Sequence, residues 1–177
     1  MSYLIGTNSI YFAQVAVQSG DTIASTTTET NFATNKTIGA NTLQPGKVIR
    51  VRARGVYSTD GISAGTMYFK LLFGTTALAT TSTETRTNAM TNKGWEAEFI
   101  ITIISATTAE IHGSAILQQT GGAVANIMGL YAVNTAVVTI DTTIDNTVNL
   151  AVKMSVSDAD NSISMRQLLI EVFEPAI

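Results

Sequence analysis

The chain alternates between apolar and polar positions over most of its length. From Ile49 it reads Ile49-Arg50-Val51-Arg52-Ala53-Arg54-Gly55-Val56-Tyr57. Successive side chains of a strand point to opposite faces, so a period of two predicts a half-buried strand with three arginines on its outer side. The same period recurs at Met67 to Phe73, where residues 67, 69, 71 and 73 face inward, and from Trp95, where Ala97, Phe99, Ile101 and Ile103 share one face. Ala109 to Gln118 sets Ile111, Gly113, Ala115 and Leu117 against Glu110, His112 and Ser114, and Val148 to Val156 repeats the pattern. The last segment, Ser162 to Phe173, alternates through Ile163 and Met165, then changes phase near Arg166-Gln167 to Leu168, Ile170 and Val172. A one-residue change of phase predicts a β-bulge.

Shorter apolar pieces at 10–17, 31–33, 76–79 and 136–140 fill the gaps. Turn signals punctuate them: Gln44-Pro45-Gly46, Asp60-Gly61, Asn92-Lys93-Gly94, Thr120-Gly121-Gly122 and Asp158-Ala159-Asp160-Asn161. Pro45-Gly46 suits a type II turn, with proline setting φ at the second position and glycine accepting positive φ at the third. The segment Gly122 to Asn134 alone carries helical spacing, through Ala123, Ile127, Leu130 and Tyr131. Two threonine-rich tracts, Ser25 to Thr30 and Thr80 to Thr87, read as extended loops or strand edges. The expected fold is all-β: a two-sheet antiparallel, jelly-roll-like sandwich of about 8–10 strands. It occupies residues 22–177, preceded by residues 1–21 as an N-terminal arm or additional strand, which either joins the same sheet or swaps onto a neighbouring subunit.

Length and composition narrow the chemistry. A chain of 177 residues buries about two-thirds of its unfolded surface and holds a core without staples. It has no cysteine, which excludes disulfides, thiolate metal sites and thiol nucleophiles, and one histidine, His112, which excludes a histidine-cluster metal site within one chain. Ten Lys and Arg against 13 Asp and Glu argue against a nucleic-acid partner. No run approaches the ~20 apolar residues of a membrane helix, and the start lacks a basic leader region, so neither a membrane partner nor a signal peptide is expected. Charged residues are only 13% of the chain, against roughly a quarter in average domains, while hydrophobics are 45% and threonine occurs 28 times. The exterior is therefore hydroxyl-rich, or covered by neighbours.

Candidate sites are few. His112 stands between Glu110 and Ser114 on one strand face, but neighbours two apart lie ~7 Å apart along the backbone and no nucleophile elbow accompanies them; a plain polar face is the preferred reading. Glu96 and Glu98 could be a carboxylate pair, yet one Trp and five Tyr make a sugar-stacking cleft hard to line. Cross-strand partnership with the arginines suits them better. Asp158 and Asp160 resemble the start of a calcium loop but lack its glycine and distal glutamate, so a hairpin turn is preferred over a metal site. No catalytic residue, metal ligand or cofactor is assigned. The concentrated charge feature is Lys47 with Arg50, Arg52 and Arg54. It is read first as a solvated strand face paired with Glu96, Glu98 or Glu171, and second as a docking surface whose guanidinium forks meet a partner's carboxylates.

The stretch Thr28-Glu29-Thr30-Asn31-Phe32, then Ile38-Gly39-Ala40-Asn41-Thr42-Leu43, Gly46-Lys47, the long alternating strand and Gly55-Val56-Tyr57-Ser58-Thr59 resembles a pattern found in tailed-phage virion proteins. Leu71 to Ala79, Gly94-Trp95 and Asn134 to Thr143 extend the resemblance from residue 22 to 174. Gly39 replaces the usual proline of the pattern. The resemblance implies a jelly-roll structural protein of the virion, assembled in the host cytoplasm. Its first implied role is a capsid decoration (cement) protein, acting as a homo-oligomer, a trimer by preference, on the major capsid protein or another virion protein. The alternatives are a tail- or fibre-associated module binding a receptor or glycan, and a small shell-forming coat protein. It implies no catalytic residues.

Overall fold

A computed structural model describes residues 10–14, 21–119, 126–133 and 137–173. In chain order the strands are β1 (Ile10–Gln14), β2 (Thr22–Ala24), β3 (Thr30–Asn31), β4 (Lys36–Ile38), β5 (Val48–Ser58), β6 (Thr66–Phe73) and β7 (Thr76–Thr80). They continue with β8 (Glu84–Thr85), β9 (Lys93–Ser105), β10 (Thr108–Gln119), β11 (Asn126–Val133), β12 (Val138–Thr139), β13 (Asn146–Met154) and β14 (Ser162–Phe173). The described residues contain no helix. An eight-stranded antiparallel sheet runs β1-β14-β5-β9-β10-β11, with β2 on β14 and β12 on β10. A six-stranded sheet runs β3-β13-β6-β7, with β4 on β13 and β8 on β6. The two sheets form the expected jelly-roll-like sandwich. The strand number exceeds the 8–10 read from alternation because two- and three-residue strands such as β3, β8 and β12 are too short to show a period.

Alternation places the core. Ile49, Val51 and Ala53 of β5, Trp95 to Ile103 at odd positions of β9, and Leu168, Ile170 and Val172 of β14 are buried, facing Met67, Phe69 and Leu71 of β6 and Val148, Leu150 and Val152 of β13. Trp95 is the centrepiece. Its ring stacks on Phe32 at 5.9 Å and tilts against Phe69 at 5.0 Å, while its Nε1 donates to the Ser164 carbonyl at 3.1 Å. A buried indole N–H needs such a partner. The approach is open because residue 55 is glycine: a Cβ there would sit 1.9 Å from Ser164 O and 2.7 Å from Trp95 Nε1. The register of β14 on β5 shifts between Met165 and Gln167, beside this contact, which is the bulge that the phase change predicts.

The turn at Pro45-Gly46 also forms as read. Gly46 has φ of 89°, and Lys47 N donates to Gln44 O at 3.1 Å. One expectation is corrected. The segment carrying helical spacing is strand β11 over its described part, paired with β10 from His112↔Val133 to Gln119↔Asn126. The open edge of a twelve-residue strand offers a full row of backbone partners, which outweighs a weak helical period. The tract Thr80 to Thr87 is short strand and extended loop as read, and within it Thr81 and Arg86 are buried. Arg86 donates to Ala64 O and Met154 Sδ, while its Nε has no hydrogen-bond partner, and burial lowers its pKa to about 10. Of residues 1–21, Ile10–Gln14 forms an edge strand on β14 of the same chain; 1–9 and 15–20 lie outside the described residues, as does the turn at 120–122.

Candidate functional site

The outer face of the eight-stranded sheet carries the concentrated charge. On β5 the even positions 50, 52 and 54 point away from the core, and the antiparallel register sets Arg52 opposite Glu98, Arg54 opposite Glu96 and Arg50 opposite Ile100, with Glu171 of β14 on the far side of Arg50. The result is a ladder. Arg52 donates from Nε at 3.0 Å and from Nη2 at 2.7 Å to Glu98 Oε2, and its Nε lies 3.5 Å from Glu96. Arg54 Nη2 donates to Glu96 Oε1 at 3.0 Å. Arg50 lies 3.3 Å from Glu98 and 3.6 Å from Glu171, with its guanidinium 5.4 Å from the Phe173 ring centroid. The Glu98 hydrogen bonds raise the pKa of Arg52. The partners read from the sequence for these arginines, Glu96, Glu98 and Glu171, are the ones present.

Lys47 stands apart from the ladder. It lies in the turn before β5, and its Nζ donates to Thr42 O at 2.8 Å.

Apolar side chains adjoin the ladder. Ile100, Ile104 and Ile116 are 37%, 46% and 42% exposed on this face, and Ile100 with Val48, Arg50 and Phe173 lines an open depression of about 290 Å³. A neighbouring depression of about 330 Å³ lies between Ile100, Glu98 and His112-Gly113-Ser114. His112 Nε2 and Glu110 Oε1 are 3.2 Å apart, both side chains being more than half exposed. Gly113 is required beneath them, since a Cβ would meet Phe99 Cδ1 at 2.2 Å. His112 and Ser114 are thus next-but-one neighbours on an open face.

At one end of the sandwich the structure assembles something the sequence could not announce. Asp60, from the β5–β6 loop, joins Asp158 and Asp160, one carboxylate oxygen of each lying within 4.8 Å of the others. Asp60 Oδ2 accepts from Ile62 N at 2.8 Å and Ser63 N at 2.7 Å, and backbone donation, from Ser63 first, lowers its pKa. Asp158 Oδ1 accepts from Asp160 N at 2.9 Å, and Asn161 N donates back to Asp158 O, the hairpin turn read from the sequence. Three carboxylates, one oxygen each, are three of the six to eight oxygens that calcium takes.

On the opposite sheet, Thr66, Tyr68, Thr83, Lys153 and Ser155 line a third depression, of about 240 Å³. Tyr68 OH donates to Glu29 Oε2 at 2.8 Å, which Lys70 also reaches. Burial and the Glu29 hydrogen bond raise the Tyr68 pKa to about 12.

No protein-family model matches the chain, and no curated protein matches it. Among solved structures it is similar to the CBM2 module of the evolved Dit of Lactobacillus casei BL23 phage J-1, at a TM-score of 0.39 and 10% identity, covering 81% of this chain and 70% of that one. The lectin UEA-II complexed with galactose has a TM-score of 0.34 and 10% identity, covering 94% and 92%; lectin II from Ulex europaeus gives the same values.

Proposed function

We propose that this chain is a non-catalytic β-sandwich module of a tailed-phage virion that works by docking, first of all as a capsid decoration protein acting as a homo-oligomer. The observation that supports this most is the outer face of the eight-stranded sheet: broad, internally charge-compensated, and bordered by Ile100, Ile104 and Ile116 where a solvated face would carry polar side chains. A subunit whose broad faces lie against neighbours needs few ions on its surface, which accounts for the 13% charged content. Many copies engaging a repeating shell together resist expansion by avidity, each contact remaining modest.

A second reading, a tail- or fibre-associated module that binds a glycan, is favoured by the Tyr68 depression. A phenol ring, hydroxyls and the Lys153 ammonium converge there, the mix of one apolar plate and several polar groups that orients a sugar. The Asp60, Asp158 and Asp160 cluster belongs to the same reading only if calcium alters that binding.

One experiment separates the two. The purified chain is incubated with undecorated capsids, and in parallel applied to a glycan array with calcium and with chelator. Saturable capsid binding supports decoration, and a defined glycan set abolished by Tyr68→Ala supports the second reading. Binding to neither, or turnover of a glycan, overturns the proposal.

A further inference from the structure

The ladder has a symmetry that its own chain does not use. The β5 column reads Arg50, Arg52, Arg54, and the adjacent β9 column reads Ile100, Glu98, Glu96, row by row. An axis parallel to the strands and midway between β5 and β9 exchanges these columns and keeps the rows. A second copy rotated by 180° about that axis, face against face, places its Glu98 over Arg52, its Glu96 over Arg54 and its Ile100 over the stem of Arg50. A two-fold across the strands would instead set arginine over arginine. We propose that this outer face is the contact between two copies of the chain, paired face to face about a two-fold axis along β5 and β9. The proposal rests on the homo-oligomer reading above and names its surface. It pairs two copies where the resemblance favours three.

Three features point to a second copy as the occupant. The first is charge: an unrelated partner would need its own matching columns, whereas this face is complementary to itself, as an isologous interface must be. The second is unused hydrogen-bonding capacity. Glu98 is shared between Arg50 and Arg52, Glu96 between Arg52 and Arg54, and Glu171 lies beside Arg50, so three carboxylates face three guanidinium groups of five N–H donors each and leave donors over. A facing copy supplies further acceptors in line with them. These ion pairs are already half-buried, with side-chain exposures of 28–47%, so part of their desolvation cost is met by the fold. The third is area. Six strands from β1 to β11 at ~4.8 Å spacing, and central strands at ~3.3 Å per residue, give a face of about 900 Å², against about 800 Å² per partner in stable complexes.

The test is a charge-swap cycle on the full chain, read by sedimentation velocity. The parent is expected to dimerise. R52E sets Glu over the second copy's Glu98, and E98R sets Arg over its Arg52, each twice per pair, so each variant alone is expected to self-associate about 100-fold more weakly. Mixing the two restores a one-to-one pair, because all four charges in that row are then opposite across the interface. The mixture of R54E with E98R does not recover, since it mismatches both rows. Recovery by mixing separates an interface from a purely internal ladder, which no second protein can repair. Trp95 emission checks that each variant is folded, and R52Q with E98Q serves if either charge reversal is not. A parent that is monomeric at high micromolar concentration, a parent trimer, unaltered dimers of R52E, or a mixture that stays monomeric each overturns the pairing. Capsid or glycan binding by a parent that stays monomeric would leave the docking reading standing while this one falls.

Discussion

Gly55→Ala tests the packing logic at its tightest point. The added methyl would sit 1.9 Å from Ser164 O, 2.7 Å from Trp95 Nε1 and 3.0 Å from Ser164 C. Two of these three atoms are backbone, on a strand held by β5 on one side and by β1 and β2 on the other, so the relief must come from β14 moving away or from the indole leaving its place. Overpacking of this kind costs about 1–3 kcal/mol. If the indole moves, its bond to Ser164 O breaks and a buried donor goes unpaired, adding about 1–3 kcal/mol. With both costs the expected loss is therefore about 2–6 kcal/mol, or about 4–24 °C in midpoint for a chain of this length. Trp95 is the sole tryptophan, so its emission in a urea titration reports both unfolding and its own environment. Trp95→Phe, followed by circular dichroism, removes the bond without crowding and isolates the second cost. Gly61→Ala, with nothing within 4 Å of the added carbon, is the control expected to change nothing. G55A unfolding within about 0.5 kcal/mol of the parent, with an unshifted emission maximum, would refute the close approach of β5, β14 and Trp95.

Three further outcomes are expected. Replacing Arg52 by Ala lowers monomer stability by less than about 1 kcal/mol, since exposed cross-strand ion pairs contribute little; a larger loss in a chain shown to be monomeric would mean the ladder holds the sheet together. Arg86→Met raises stability by about 1 kcal/mol in urea titrations, because a buried guanidinium with an unpartnered Nε and no acid bonded to it is replaced by a side chain of similar length without charge, and a destabilised R86M would contradict that. Glu29, Asp60 and Asp141 have carboxyl pKa values below their ordinary ones, through the Lys70, Ser63 and Thr143 hydrogen bonds respectively. Their folded values being the lower, their stabilisation is complete above the unfolded values of about 4 and is lost as pH falls through the folded ones. Thermal midpoints should be flat from about pH 7 to 5 and fall below about 4, less steeply in D60N; a decline starting above pH 5 would oppose this.

Long strands were legible because one face of each is buried and the other wet. In β14 the phase change at Arg166 located the bulge, since shifting the pleat by one residue reverses every later side chain. The partners of the arginines followed from the same rule: Glu96, Glu98 and Glu171 are acids at outward positions on long strands, and strands of that length at the centre of a sheet become neighbours. Where the period failed, so did the reading. β11 carries apolar residues at a spacing a helix would also accept, and what decides its state is the open edge of β10, a tertiary fact. Arg86 sits in a threonine-rich tract whose composition suggests exposure, and only the packing of Ala64 and Met154 around it makes it a core residue. Asp60 meets Asp158 across 98 residues of chain, a juxtaposition set by two loops at one end of the sandwich and by no local pattern.

The hydroxyl-rich exterior sharpens what ionic strength can reveal. Away from the ladder, strands are tied on the surface by neutral bonds such as Thr22 to Ser164 at 2.6 Å, Thr37 to Thr147 at 3.0 Å and Ser105 to Thr108 at 2.7 Å. Neutral hydrogen bonds respond weakly to salt, whereas half-exposed ion pairs within a Debye length of a partner's charges respond strongly. The arginine and glutamate columns concentrate charge on one face, so an association of this chain that loosens steeply between about 0.05 and 0.5 M salt and is weakened by R52E, with stability of the monomer unchanged, traces to that face. Association insensitive to salt would point away from the ladder, since neither its arginines nor its glutamates would then be carrying the contact.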